Sequence, residues 1–333
     1  QLAMKTPLLQ FTSKGIYCAQ AGVYLDPWRP VDHAIISHGH ADHSRYGHQK
    51  YITHHYNLPI IKKRLGAINA SSVGWGERFS VNGVDFELHP AGHIVGSSQI
   101  LVSYKGERWV FTGDYKAHYD GISDAFAPQK CHAIITECTF GIPAFKWPDP
   151  KEIHDEINRW WFDNQQNGLN SVVFAYSLGK AQRILKHLNP DIGKIFVHPA
   201  VGAMNDIIAE FKTLPPYTIL TKEVKKEDIQ GALIITPAAV QNGSWLKKCQ
   251  PYTDASASGW MAIRGNKRRR SIDRGFVISD HCDWDELLQS IEATGAEKVI
   301  CTHGYTDLFA KYLSEQGYDA RTEKTQFEET DNE

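Results

Sequence analysis

No stretch of this 333-residue chain approaches the ~18 consecutive apolar residues of a membrane-spanning helix, and no signal peptide is visible in it. The expectation is therefore a soluble cytoplasmic protein with no membrane partner. Net charge is also lacking: 36 Lys and Arg stand against 38 Asp and Glu, a balance of −2. That excludes a surface that traps polyanions indiscriminately and confines any nucleic-acid site to a local patch. The six cysteines (Cys18, Cys131, Cys138, Cys249, Cys282, Cys301) form no C-x-x-C pair and share no regular spacing, so they read as reduced and mainly structural. Cys282 stands apart because it adjoins a candidate active-site histidine, where oxidation would matter. Internal repeats are absent, and Gln1–Ala3, ahead of Met4, are set aside.

What the chain does have is a concentration of metal-ligand types. Ile35-Ile36-Ser37-His38-Gly39-His40-Ala41-Asp42-His43 places three imidazoles and a carboxylate just past a short apolar run. Residues two apart on extended chain share a face, so His38 and His40 can grip one metal, while Asp42 and His43 can face a second. Further ligand types stand at strand ends: His93 in Pro90-Ala91-Gly92-His93, Asp114 in Val110-Phe111-Thr112-Gly113-Asp114, and His303 in Val299-Ile300-Cys301-Thr302-His303-Gly304. Other histidines, His48, His54, His55 and His118 among them, are expected at surface or packing positions.

Residues 15–140 read as short strands between Gly-, Pro- and His-rich loops, with a helix over 57–68. Near Pro148-Asp149-Pro150 the pattern changes to alternation: helix 151–166, strand 171–175, helix 179–188, strand 195–198, helix 201–212, strand 233–236. Such alternation argues for a parallel sheet with crossover helices. After Gly275 come strand 276–279, helix 283–294 capped by Asp283 and Gly295, strand 298–302 and helix 307–316 ended by Gly317. The tail from Thr322 onward is polar and is expected to fray. Because His303 must return to the site built by residues 38–114, the middle block reads as an insertion.

This order of motifs resembles the metallo-β-lactamase superfamily. Asp26, in Val23-Tyr24-Leu25-Asp26-Pro27, matches its first motif, an aspartate that orients a metal ligand; His38, His40, Asp42 and His43 match the second, His93 the third and Asp114 the fourth. Glu137 in Ile135-Thr136-Glu137-Cys138, His281 in Ser279-Asp280-His281-Cys282 and His303 are similar to motifs A, B and C of the β-CASP nucleases. Tyr176-Ser177-Leu178-Gly179-Lys180 is similar to a turn of their inserted domain. The segment Ala257–Gly265 with Arg268-Arg269-Arg270 is closest to bacterial ligase-associated DNA damage response exonucleases. The implied fold is α/β, a metallo-β-lactamase αββα sandwich (1–148 and 275–333) with an inserted β-CASP α/β domain (149–274).

The resemblance implies two divalent ions, zinc or manganese. His38, His40 and His93 go to one, Asp42, His43 and His303 to the other, and Asp114 bridges them. Two ions about 3.5 to 4 Å apart clamp an in-line displacement at phosphorus. Glu137 and His281 then supply a proton to the leaving oxygen, with Asp26 as the orienting carboxylate. Arg264, Lys267, Arg268, Arg269 and Arg270, on a hairpin, are candidates for phosphate contacts, as are Ser177 and Lys180 at a strand-to-helix turn. The expected activity is a 5′-to-3′ exonuclease on single-stranded DNA in repair, with a DNA ligase and a helicase of the same system as partners. An RNA nuclease of the 3′-end processing or RNase J type is the alternative, because His303 is typical of RNA-acting branches where the Artemis-like DNA branch carries Val. A small-molecule metallo-hydrolase is a remote third, since a small ester needs neither the insertion nor Glu137 and His281.

Overall fold

A computed structural model describes residues 5–263, 266–269 and 271–327. The chain forms two compact units, one running to Ala144 and resuming at His281, the other spanning Phe145–Asp280.

The first unit is two packed sheets. One takes its six strands in chain order: Gln10–Phe11, Ile16–Cys18, Val23–Leu25, His33–Ile35, Lys50–His54 and Ala70–Val73. The other has seven, ordered Asp319–Thr322, Lys298–Gly304, Ala133–Cys138, Glu107–Phe111, Ser98–Tyr104, Val84–Pro90 and Phe79–Val81. Lys298–Gly304 runs parallel to Ala133–Cys138, with Ile134 opposite Val299 and Ile135 opposite Ile300, so strands far apart in sequence are neighbours. The two-residue period of a strand then sorts side chains into layers. Ile135 and Ile300 point between the sheets, with Leu25, Ile35, Phe86, Ile100 and Phe111. Ile134 and Val299 point outward, under Leu287 and Ile291 of helix Trp284–Thr294 and Phe309 and Leu313 of helix Thr306–Glu315. Helix Leu58–Leu65 covers the first sheet, laying Ile61 on Ala34, Ile36 and Tyr51. The result is helix, sheet, sheet, helix. Asp283 caps its helix reciprocally: its carboxylate accepts from Glu286 N and Glu286 accepts from Asp283 N, both at 2.9 Å, and Gly295 ends the helix at φ 67°.

The second unit is a parallel sheet ordered Thr218–Ile219, Ile195–Val197, Leu233–Thr236, Asn170–Phe174, Tyr252–Ala257 and Arg274–Phe276. Helices Pro150–Gln166, Lys180–Lys186 and Pro199–Ile208 cover one face through Trp161, Ile184 and Val201, while Val172, Phe174 and Ile234 face short 3₁₀ turns on the other.

The structure corrects several expectations. The strand expected over 276–279 is Arg274–Phe276, because pairing with Ala255–Ala257 ends there. Within the basic segment the described residues Asn266–Arg269 form a short helix rather than a hairpin strand, in keeping with the helix propensity of Lys and Arg. Arg264 and Arg270 lie outside the described residues, as does the Arg269 side chain. Of the stretch from Thr322 that was expected to fray, Thr322 ends the strand Asp319–Thr322 and Phe327 is buried in the inter-sheet core, while 328–333 lie outside the described residues. Among the described residues no helix is long and apolar enough to cross a membrane.

Candidate metal centre

The first unit gathers its ligand types where strands end and loops begin. Strand His33–Ile35 leads to His38, His40, Asp42 and His43; the loop between Val84–Pro90 and Ser98–Tyr104 carries His93; the chain past Glu107–Phe111 carries Asp114; and Lys298–Gly304 ends with His303. Two glycines permit the convergence. At Gly92 (φ 75°) a Cβ would lie 2.3 Å from Lys116 O, and at Gly304 (φ 97°) 2.1 Å from Cys138 O, so only a residue without a side chain fits either place.

Donor atoms of His38, His40, His93 and Asp114 lie within 4.8 Å of one another, as do those of His43, Asp114 and His303. Asp114 belongs to both groups: its Oδ2 is 3.4 Å from His38 Nε2 and 3.3 Å from His43 Nε2, and its Oδ1 is 2.9 Å from His303 Nε2. Asp42 approaches from the His43 side, 3.3 Å from Nε2, and lies outside those tightest groups. The donor set suits a divalent ion. Imidazole and carboxylate are ligands for borderline metals, and the buried Nε2 atoms of His38 and His43 have no hydrogen-bond partner, a costly state that coordination relieves.

At His93 and Asp114 the electrostatics suit ligation, whereas at His43 burial is outweighed by Asp114 and Asp42, which hold the imidazole well above its usual range. Burial drives the His93 imidazole well below its usual range, and the neighbouring His38, His281 and His40 push the same way, leaving the neutral ring a ligand must be. Burial alone would raise Asp114, but the imidazoles of His43, His303 and His38 around it outweigh that and hold the carboxylate well below its ordinary range.

Behind the ligands stands Asp26, fully buried. Its Oδ2 is 2.7 Å from His43 Nδ1 and its Oδ1 accepts from Ser37 N at 2.7 Å. Ser37 Oγ donates to Asp26 Oδ2 at 2.5 Å and lies 2.9 Å from His38 Nδ1. One carboxylate thus aligns a ligand in each group, through a serine that sequence reasoning passed over. Thr302 was missed likewise; its Oγ1 lies 3.0 Å from His303 Nδ1. Both are hydroxyl residues immediately before a ligand, a repeated Ser/Thr-His pair that was the available signal.

On the flank sits an acid pair. Glu137 Oε1 is 2.8 Å from His281 Nδ1, and the carboxylate accepts from Tyr115 N at 3.2 Å and Thr139 N at 3.0 Å. Burial works to raise Glu137, but His281 outweighs it and the carboxylate is held below its usual range. The His281 ring lies 4.8 Å from that of His93. Cys282 is buried and its thiol driven well upward by burial, which favours the protonated thiol and the reading of a buried, small apolar residue.

Ser177, Lys180, Lys267 and Arg268 belong to the other unit. Ser177 lies in the turn before helix Lys180–Lys186, Lys180 itself is buried, and Lys267 and Arg268 are exposed.

No family model matches the chain. A protein of Opitutus terrae named Probable DNA ligase is 29% identical over 314 residues, 92% of this chain and 30% of its own length. Endoribonuclease YSH1 of Kluyveromyces lactis is 24% identical across 73% of this chain and 39% of its own, and an RNase J-like protein of Methanocaldococcus jannaschii 25% identical across 48% and 44%. The chain has the metallo-β-lactamase/β-CASP fold. Two of these relatives are named as ribonucleases and one as a DNA ligase. The chain spans less than half the length of each of these three relatives, 30%, 39% and 44%. A crystal structure of a protein of unknown function from Enterococcus faecalis aligns with a TM-score of 0.61 at 13% identity, covering 89% of this chain and 80% of that one; this likeness concerns the fold alone.

Proposed function

We propose that this chain is a metal-dependent phosphodiesterase acting on nucleic acid, degrading single-stranded DNA from its 5′ end in repair. The observation that carries this reading is the Glu137–His281 pair beside the ligand cluster. A metal cluster alone suits many hydrolases. An alkoxide, by contrast, leaves poorly without a proton, and a buried carboxylate–imidazole pair supplies one.

His38, His40 and His93 would hold one divalent ion, Asp42, His43 and His303 a second, with Asp114 reaching both; zinc and manganese both suit this donor set. When bound, the ions supply the Lewis acidity that activates water and neutralises charge at phosphorus. The chain's own residues do the rest. Glu137, fixed by the amides of Tyr115 and Thr139, holds His281 at Nδ1 and leaves Nε2 to deliver the proton to the leaving oxygen. Asp26 aligns His43 directly and His38 through Ser37. Lys267 and Arg268 would meet flanking phosphates, and Ser177 and Lys180 a terminal one. Action in the cytoplasm beside a ligase and a helicase completes the reading.

The relative named Probable DNA ligase, matching 92% of this chain, supports DNA. RNA is the second reading, supported by the relatives named as ribonucleases and by His303 at motif C. The test is hydrolysis of end-labelled single-stranded DNA and RNA of matched sequence, with and without 5′ phosphate, in Mn²⁺, Zn²⁺ or Mg²⁺, with Asp114→Ala as the inactive control. Stepwise loss from the DNA 5′ end is expected. Preference for RNA shifts the substrate to the second reading, and failure on both, with turnover of a small ester, overturns the proposal.

A further inference from the structure

We infer that Phe327 is a positioning residue of the metal centre, a flat backing that holds the His43 imidazole at the angle its ion needs. The inference rests on the metal reading above. In the polar stretch Asp319–Glu333 Phe327 is the lone aromatic, yet its side chain is buried at 5% exposure. Its ring stacks face-on against His43, centroids 4.2 Å apart and planes 13° apart, and meets His303 edge-on at 5.7 Å and 70°. These two imidazoles are the ones that close with Asp114 on one side of the cluster; His38, His40 and His93 close the other. Phe327 therefore backs the ligands of one ion only.

The hydrogen bond from His43 Nδ1 to Asp26 fixes one atom of the imidazole and leaves the ring free to tilt about it. A ring packed on the imidazole face removes that tilt. Phe327 is also packed by Trp28, edge-on at 5.6 Å, and by Phe111 at 6.1 Å. The segment is itself tied to the ligand loop. Glu323 N donates to Cys301 O at 3.0 Å, two residues before His303. Arg45 spans the gap, Nη2 donating to Gln326 O at 2.6 Å and Nε to Asp42 O at 3.2 Å. Arg45 thereby clasps residue 326 to the loop that carries Asp42 and His43.

The test is calorimetric titration of metal-free protein with Zn²⁺, and separately with Mn²⁺, for wild type, Phe327→Leu, Arg45→Met and the double variant, with the thermal midpoint of each metal-free protein. Leucine keeps the apolar bulk and removes the flat face. Partners that orient metal ligands are worth about 10- to 100-fold in affinity, so Phe327→Leu is expected to weaken one of two sites by about tenfold, with the other and the metal-free midpoint little changed. Arg45→Met should weaken the same site. The double variant should fall short of the product of the two effects, because both act through one strap. Unchanged affinity at both sites in Phe327→Leu overturns the inference. Equal weakening of both sites alongside a lowered metal-free midpoint also overturns it, by making Phe327 a core filler. Wild type that binds no ion removes the metal reading itself, an outcome distinct from either.

Discussion

Gly304→Ala separates close backbone approach from ordinary strain. At φ 97° an alanine pays the left-handed penalty of roughly 1–2 kcal/mol, and its Cβ would also lie 2.1 Å from Cys138 O, 2.3 Å from Cys138 C and 2.5 Å from Thr139 Cα. Cβ contacts under 3.0 Å are not found, so the shortfall to Cys138 O is 3.0 − 2.1, about 0.9 Å, and it falls on backbone that cannot rotate away. Strand Lys298–Gly304 must part from Ala133–Cys138 by that much, moving His303 against Asp114 and Glu137 against His281 together. A misplacement of about 1 Å costs roughly 10²-fold in rate. Gly295 is the matched control: φ is 67° and nothing lies within 4 Å of its would-be Cβ, so Gly295→Ala carries the torsional cost alone. The assay pairs urea unfolding with phosphodiester hydrolysis and zinc content. Gly295→Ala should lose about 1 kcal/mol and keep its activity. Gly304→Ala should lose about a hundredfold in activity. Activity of Gly304→Ala within about threefold of Gly295→Ala would refute the reasoning.

Three more outcomes are expected. His281→Ala should keep its metal content and slow cleavage by about 10² to 10⁴, with much of the loss recovered on a substrate with a better leaving group; metal loss instead would make His281 a ligand. Lys267→Ala with Arg268→Ala should flatten the log–log salt dependence of single-stranded DNA binding by about 0.7 per lost phosphate contact and leave a small chromogenic phosphodiester unaffected, whereas an unchanged slope would reduce these cations to a solvated surface. Burial, the stacked His187 at 4.0 Å and Arg183 lower His154 to about 3, so as pH falls below the unfolded value of about 6.5 the unfolded chain takes the proton first. Between pH 7.5 and 5 this should remove about 2 kcal/mol of stability that His154→Phe retains, measured by urea unfolding at both pH values. An equal loss in both proteins would show that His154 does not titrate there.

The ligand types were legible because they are written locally, as one dense histidine run and as single residues where apolar strands stop. Strand Tyr252–Ala257 was not. Its residues, Tyr-Thr-Asp-Ala-Ser-Ala, form no apolar run, and only its neighbours in the sheet make it a strand. The helix at Asn266–Arg269 was masked by its charge, which suggested a binding loop and drew attention from helix propensity. Phe327 was hidden differently: its surroundings in sequence are polar, and the apolar contacts that bury it come from residues 28 and 111. Ser37 and Thr302 illustrate a further blind spot, since a hydroxyl beside a histidine has meaning only once the imidazole's direction is known.

The candidate ligands sit on both sides of a long excursion of the chain, His38, His40, Asp42, His43, His93 and Asp114 before it and His303 after it. On a ribosome, then, the group of His38, His40, His93 and Asp114 is synthesised well before its partner group, which stays incomplete until residue 303 has emerged and Lys298–Gly304 has found its place between Ala133–Cys138 and Asp319–Thr322. On the two-ion reading proposed above, a growing chain could hold one ion before it could hold both, and the chemistry would wait until residue 303 is in place.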